Sequence, residues 1–148
     1  MCSKLVAAAG IAALLAGAPA VASAAVKAGS FKGKTVRDQP VKFTVTKGKR
    51  LVNFEFRRFE LKCTDGDTVP VSRVQSGSKK LTITRGGKFS FTVEYDDGDT
   101  WDTSGTIIGK RAKGKLRFRV RFNAEGEPDS DGEILCDSGT RRFTAKLR

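Results

Sequence analysis

Residue types able to do chemistry fall into a few groups, and the first is a pair of cysteines, Cys63 and Cys136. A further cysteine, Cys2, precedes an apolar N-terminal run and would leave with it. Two thiols in an oxidising compartment favour a disulfide. They make a poor metal site by themselves, because structural zinc wants a full set of ligands and the chain has no histidine. The missing histidine also excludes Ser-His-Asp and Cys-His catalysis. Neither a G-x-S-x-G elbow nor a P-loop occurs. What remains for an enzyme is a carboxylate pair of glycosidase type, drawn from the Asp96 to Asp102 group beside the single tryptophan, Trp101. One tryptophan beside acids is more often a packed core ring, so the expectation is a non-enzyme.

Glu94, Asp96, Asp97, Asp99 and Asp102 form one acidic cluster. Glu125, Glu127, Asp129, Asp131 and Glu133, with Asp137 close behind, form another. Calcium is bound by many oxygen ligands, which makes Asp97, Asp99, Glu127, Asp129 and Asp131 its candidate ligands. Glu127-Pro128-Asp129-Ser130-Asp131-Gly132 resembles the opening of an EF-hand loop, with Ile134 where that family carries an apolar residue. Ser138 then stands where the bidentate glutamate belongs, and no helix flanks the loop. Turn formation and local charge balance explain the same acids, so calcium is an alternative to a protein with no cofactor. The string D-G-D-T, at 65–68 and again at 97–100, is also turn chemistry.

The basic group is the more physical one. Lys115, Arg117, Arg119 and Arg121 alternate with Leu116, Phe118, Val120 and Phe122, so one strand would carry cations outward and apolar side chains inward. Side chains two apart on a strand are about 7 Å from one another, giving a line of charge roughly 20 Å long. Arginine suits bidentate contacts to phosphate or sulfate. The whole chain has 28 Lys and Arg against 16 Asp and Glu, a formal net charge of +12. That balance argues for solubility and attraction to polyanions, not for a fold. The expected partner is an anionic envelope polymer or another polyanion. Sequence-specific nucleic-acid reading is not expected, since the aromatics share faces with core residues and no helix is offered to a groove. A solvated face in which arginines blunt sheet aggregation is the plainer account of the same stripe. The sequence is silent on oligomeric state.

The elements that must position these groups begin after a leader. Lys4, the apolar run Leu5 to Ala18 and Ala22-Ser23-Ala24 follow the order of a secretory signal peptide. The apolar run is too short to span a membrane. Ala18 stands where a lipidation cysteine would have to be. The expectation is a cleavable leader at residues 1–24 and a secreted or extracytoplasmic domain at 25–148, without lipid anchor or transmembrane span.

Period-two alternation dominates that domain. Val41, Phe43 and Val45; Val52, Phe54 and Phe56; Phe89, Phe91, Val93 and Tyr95; and Phe143, Ala145 and Leu147 each alternate with polar residues. Arg57-Arg58 breaks the phase before Phe59, Leu61 and Cys63 resume it, which predicts a bulge. Weaker strands are expected near 31–37, 68–75, 80–85, 100–109 and 132–136, with glycine turns between. The fold class is all-β, an antiparallel meander closing into a β-sandwich, with a small β-barrel as the alternative. If successive strands alternate direction, the turns after Cys63 and Cys136 fall at one end, and so do the two acidic loops. The immunoglobulin pattern fits poorly: Trp101 lies far from Cys63, and no tyrosine precedes Cys136 by two residues.

Lys62-Cys63-Thr64-Asp65-Gly66 and Cys136-Asp137-Ser138-Gly139-Thr140, with Phe143-Thr144-Ala145, carry a resemblance over about Phe31 to Arg148. The chain resembles small secreted bacterial β-domains that have a C-x-D-G turn early and a C-D-S-G-T turn before the last strand. The resemblance implies an all-β fold with a disulfide and assigns no catalytic or binding residue.

Overall fold

The computed structural model describes residues 25–77 and 79–148, so the expected leader at 1–24 lies outside the described residues. The alternating runs become strands β1 (Gly29–Thr35), β2 (Pro40–Val45), β3 (Arg50–Cys63), β4 (Thr68–Gln75), β5 (Leu81–Thr82), β6 (Lys88–Glu94), β7 (Thr100–Ile108), β8 (Arg111–Phe122), β9 (Ile134–Asp137) and β10 (Arg141–Leu147). Every strand pairing is antiparallel. Among the described residues no helix is long and apolar enough to cross a membrane.

Of the two ways to roll up the phenylalanine face, the chain takes the barrel and not the sandwich. β1, β2, β3, β9, β8 and β10 each pair with the next, and β10 returns to β1, closing a six-stranded barrel. β6 and β7 extend from the outer edge of β8, while β4 and β5 lie along β3. Closure brings β1 and β10 together at a row of small inward residues, Gly33 opposite Ala145 and Ala145 opposite Ala112. A Cβ at Gly33 would run into the Thr144 carbonyl, so only glycine permits that seam.

Strand direction does not alternate throughout, which corrects the expected meander. β4 and β5 both run antiparallel to β3, and β9 and β10 both run antiparallel to β8. Each pair acts as one interrupted strand. A buried serine stitches each interruption. Ser76 donates its N–H to the Phe54 carbonyl (2.9 Å) and accepts the Phe54 N–H on Oγ (3.0 Å). Ser138 does the same with Phe118, at 2.9 Å in both directions. Gly77 and Gly139 follow with φ of 62° and 65°, a left-handed turn that glycine adopts without a steric penalty.

One consequence falls on the disulfide. Because direction fails to alternate at β4/β5, β3 and β9 are antiparallel, and Cys63 stands directly opposite Cys136 in register. They are bonded across a sequence separation of 73 residues. The expected placement of both following turns at one end is therefore wrong: residues 64–67 cap the barrel end, whereas 138–140 form the break between β9 and β10 in its wall.

The phase of β3 does break at Arg57-Arg58, between buried Phe56 and Phe59, but the bulge lies elsewhere. The register shift lies between Lys42 and Thr44 of β2, which face Glu55 and Val52, so the bulge falls at Asn53-Phe54. Asn53 has φ of 51° there. As a result Leu51, and not Val52, joins the core. Arg58 has φ of 53° without any change of register against β4; its left-handed conformation resets the facing of the chain.

Inside the barrel, rings on neighbouring strands stack at strand spacing. Phe31 lies 5.0 Å from Phe43 and Phe43 lies 5.1 Å from Phe54. Phe54 is also edge-on to Trp101 at 5.2 Å, Phe143 at 5.6 Å and Phe91 at 5.9 Å.

Candidate polyanion-binding face

Outward positions on β8 depend on what stands beside them in β7, β9 and β10. Arg117 binds Asp137 with both nitrogens of its fork, Nε lying 2.9 Å from Oδ2 and 3.1 Å from Oδ1. Arg119 binds Asp102 at 2.6 Å, and Asp102 also accepts a 2.7 Å hydrogen bond from Thr92. Arg121 donates to the Gly132 carbonyl at 3.2 Å. Burial pushes the Asp137 carboxyl up, but the Arg117 bond, the Gly139 N–H and the nearby arginine charges hold it below its ordinary value. The 115–121 stripe is therefore partly neutralised by its own neighbours. Among the described residues Arg121 and Lys115 have no acidic partner, and Lys115 makes no side-chain hydrogen bond.

Lys115 belongs to a larger face that sequence reading missed. β1, β2, β8 and β10 contain no Asp or Glu at all. Their pairing sets Lys42 opposite Lys32, Lys32 opposite Lys146, and Lys146 opposite Arg111. Arg142 faces Lys115, while Lys34 and Lys113 flank Thr144. All these cations are exposed. At a strand spacing of about 5 Å the Lys42–Lys32–Lys146–Arg111 row is roughly 15 Å long. Two carboxylates border it among the described residues: Asp38, paired with Lys34, and Glu55, which stands opposite Lys42 on β3 and is held by Arg57 and Arg73. Thr106 and Thr144 are short side chains among long ones, and between them the face carries a shallow groove of about 620 Å³ bordered by Lys34, Lys113, Lys115 and Arg142. The available signal was the absence of acids from those strands. What could not be read was the register that juxtaposes their cations.

The acidic residues gather elsewhere. β1, β3, β6 and β8 run in one direction, so loops 36–39, 64–67, 95–99 and 123–133 share one end of the barrel. The two acidic loops touch there, as expected: a Cβ on Gly98 would come within 2.5 Å of the Ser130 Cα. Two of their carboxylates turn to their own backbone. Asp97 accepts the Asp99 N–H (3.2 Å) and Asp129 the Asp131 N–H (3.0 Å). Glu127 gives its own N–H to Asn123 (2.9 Å). Among the described residues no group of carboxylates and cysteines is disposed to hold a metal ion. Trp101 is fully buried in the core, where it has no face to offer a sugar.

Asp99 carries a charge penalty. Burial, and then the neighbouring Asp97, push its carboxyl from 3.8 up to about 6. Its Oδ1 is buried with no partner among the described residues. Between pH 4 and 6 the folded chain keeps a proton that the unfolded chain has released, so this group's contribution is full below pH 4 and is lost as pH rises to about 6. Asp99→Asn is expected to raise stability at pH 7 by on the order of 1 kcal/mol, after allowance for solvent screening. Urea melts of both proteins from pH 4 to 7 read it; equal pH slopes would refute it.

A contrasting carboxylate is Glu55, buried between Arg57 at 2.6 Å and Arg73 at 2.9 Å, with Gln75 donating at 2.8 Å. Burial raises its pKa, but these partners outweigh that and hold it below the ordinary value. It ties β3 to β4 and is not available to a ligand.

No protein-family model, curated protein or solved structure matches the chain. Its functional reading rests on its own geometry.

Proposed function

We propose that this is an exported, non-catalytic module that binds an anionic polymer of the cell envelope on the outer face of β1, β2, β8 and β10. The observation that carries the reading is the direct opposition of like charges in the row Lys42, Lys32, Lys146 and Arg111. Like charges directly opposite one another destabilise a sheet. A polyanion would turn that repulsion into attraction, and the neighbouring groove offers a path for a chain. The absence of acids from β1, β2, β8 and β10 themselves supports the same reading, because counter-charge reaches the face only from its borders, at Asp38, Glu55, Asp102 and Asp137. The expected leader and the disulfide are in keeping with export.

The test is release by salt from immobilised heparin and from polyphosphate. Lys32→Ser, Arg111→Ser and Lys146→Ser together should weaken binding by about tenfold or more and flatten the salt dependence, with folding stability unchanged or slightly higher. Arg117→Ser with Arg119→Ser should matter less, because those arginines are already paired. Release at an unchanged salt concentration after the triple change would sink the proposal.

A further inference from the structure

β3 is left unpaired over part of one edge. β2 pairs with it up to Phe56 and β9 only from Lys62, so residues 57–61 border a window in the barrel wall. A cavity of about 700 Å³ opens there, lined by Arg37, Gln39, Arg58, Glu60, Ser72 and Arg141 among others. Arg141 shares the inward facing of Phe143 and Ala145 along β10 and is half-buried. Arg37 comes from the β1–β2 loop, and Arg58 from β3.

Several features of these arginines call for an anion. None of them makes an ion pair among the described residues. The Nε of Arg141 is buried without a hydrogen-bond partner there. Burial first, and then the charge of Arg37, push its guanidinium below the ordinary value, with Asp137 opposing only in part. Arg58 holds φ of 53° in the middle of a strand, a conformation unfavourable for any residue with a Cβ. Strain of this kind in a non-glycine residue gathers at ligand sites. Glu60 is the one carboxylate lining the cavity. Gln39 accepts from Thr35 on Oε1, which leaves its amide N–H groups to donate.

We infer that Arg37, Arg58 and Arg141 form a pocket for a single phosphate group, distinct from the exposed basic face. Guanidinium forks match the planar pairs of oxygens that a tetrahedral oxyanion presents. The group could arrive as inorganic phosphate or as the end of a phosphate monoester. Arg142 points to the other face of β10 and serves the groove, so adjacent arginines serve different sites.

The experiment is a titration of the intact protein with sodium phosphate, glycerol phosphate and sodium acetate, each against sodium chloride of equal ionic strength. Calorimetry and the melting temperature are the readouts. Saturable binding of both phosphates, and not of acetate, is expected. Arg58→Gly should weaken phosphate by about tenfold while leaving the ligand-free melting temperature equal or higher, because glycine accepts the left-handed backbone. Arg37→Gln, on an exposed loop, should weaken it too, and carries the test if Arg141→Gln does not fold. Lys32→Ser with Lys146→Ser should leave phosphate affinity within about twofold. A response no greater than chloride's, or equal binding of acetate, overturns the inference. So does phosphate binding that survives Arg58→Gly and Arg37→Gln but is lost with the two lysines, which would assign the ion to the exposed face.

Discussion

Replacing Phe54 by alanine is expected to destabilise the protein by about 4 kcal/mol, the middle of the range for buried phenylalanines. The ring is fully buried and sits where several layers meet. It stacks on Phe43 and meets Phe91, Trp101 and Phe143 edge-on. Those partners come from β2, β6, β7 and β10, so the hole would open between barrel and outer hairpin. Its walls are held by strand ladders and could collapse only in part. The backbone is pinned as well, since the Phe54 N–H and carbonyl both bind Ser76 in a bulge, which limits its movement into the hole. Phe54→Leu, which keeps more of the volume, should cost roughly 1–2 kcal/mol. Urea denaturation checks both, read as a lower midpoint at constant slope. A loss below about 1 kcal/mol for the alanine variant would mean that this ring is not the junction of the core.

Removing the disulfide should have a similar effect. For a separation of 73 residues, the chain-entropy estimate is about 4 kcal/mol, carried mainly by the unfolded state. The native contribution is local. β9 holds β3 through only two register pairs, Lys62 with Asp137 and Cys63 with Cys136. Thr64 and Leu135 continue the contact through backbone and hydroxyl hydrogen bonds. This is the narrowest joint in the closed wall. Cys63→Ala with Cys136→Ala is expected to lower the melting temperature by about 15 °C. Faster amide exchange in β9 than in β1 and β10 would place the loosening at that joint. A variant that melts within about 3 °C of the parent would show that the strand pairs close the barrel unaided.

Much of the fold was legible because its signals are local. Alternation placed the strands, and residues such as Phe43, Phe118 and Phe143 lie inside as their neighbours implied. Turn glycines separated them, and the two acidic loops share an end because β6 and β8 point the same way. The phase break at Arg57-Arg58 predicts a bulge there, whereas the register shift belongs to Asn53-Phe54. Phase alone cannot tell a bulge from a single left-handed residue, because both turn the following side chains over.

The disulfide with which the sequence reading began shows where local signals stop. Two cysteines left beyond the expected leader were enough to pair Cys63 with Cys136. They could not reveal that the two are direct register partners, because strand direction fails to alternate where Ser76-Gly77 interrupts one strand and Ser138-Gly139 another. The basic stripe behaves likewise. The sequence determined that Lys115, Arg117, Arg119 and Arg121 share a face of β8. Only tertiary structure decided that Arg117 and Arg119 are met by Asp137 and Asp102, while Lys115 joins cations from β1, β2 and β10. A side chain's facing is fixed by its own strand's pleat, whereas its neighbour across the ladder is fixed by closure and register, which are properties of the whole chain.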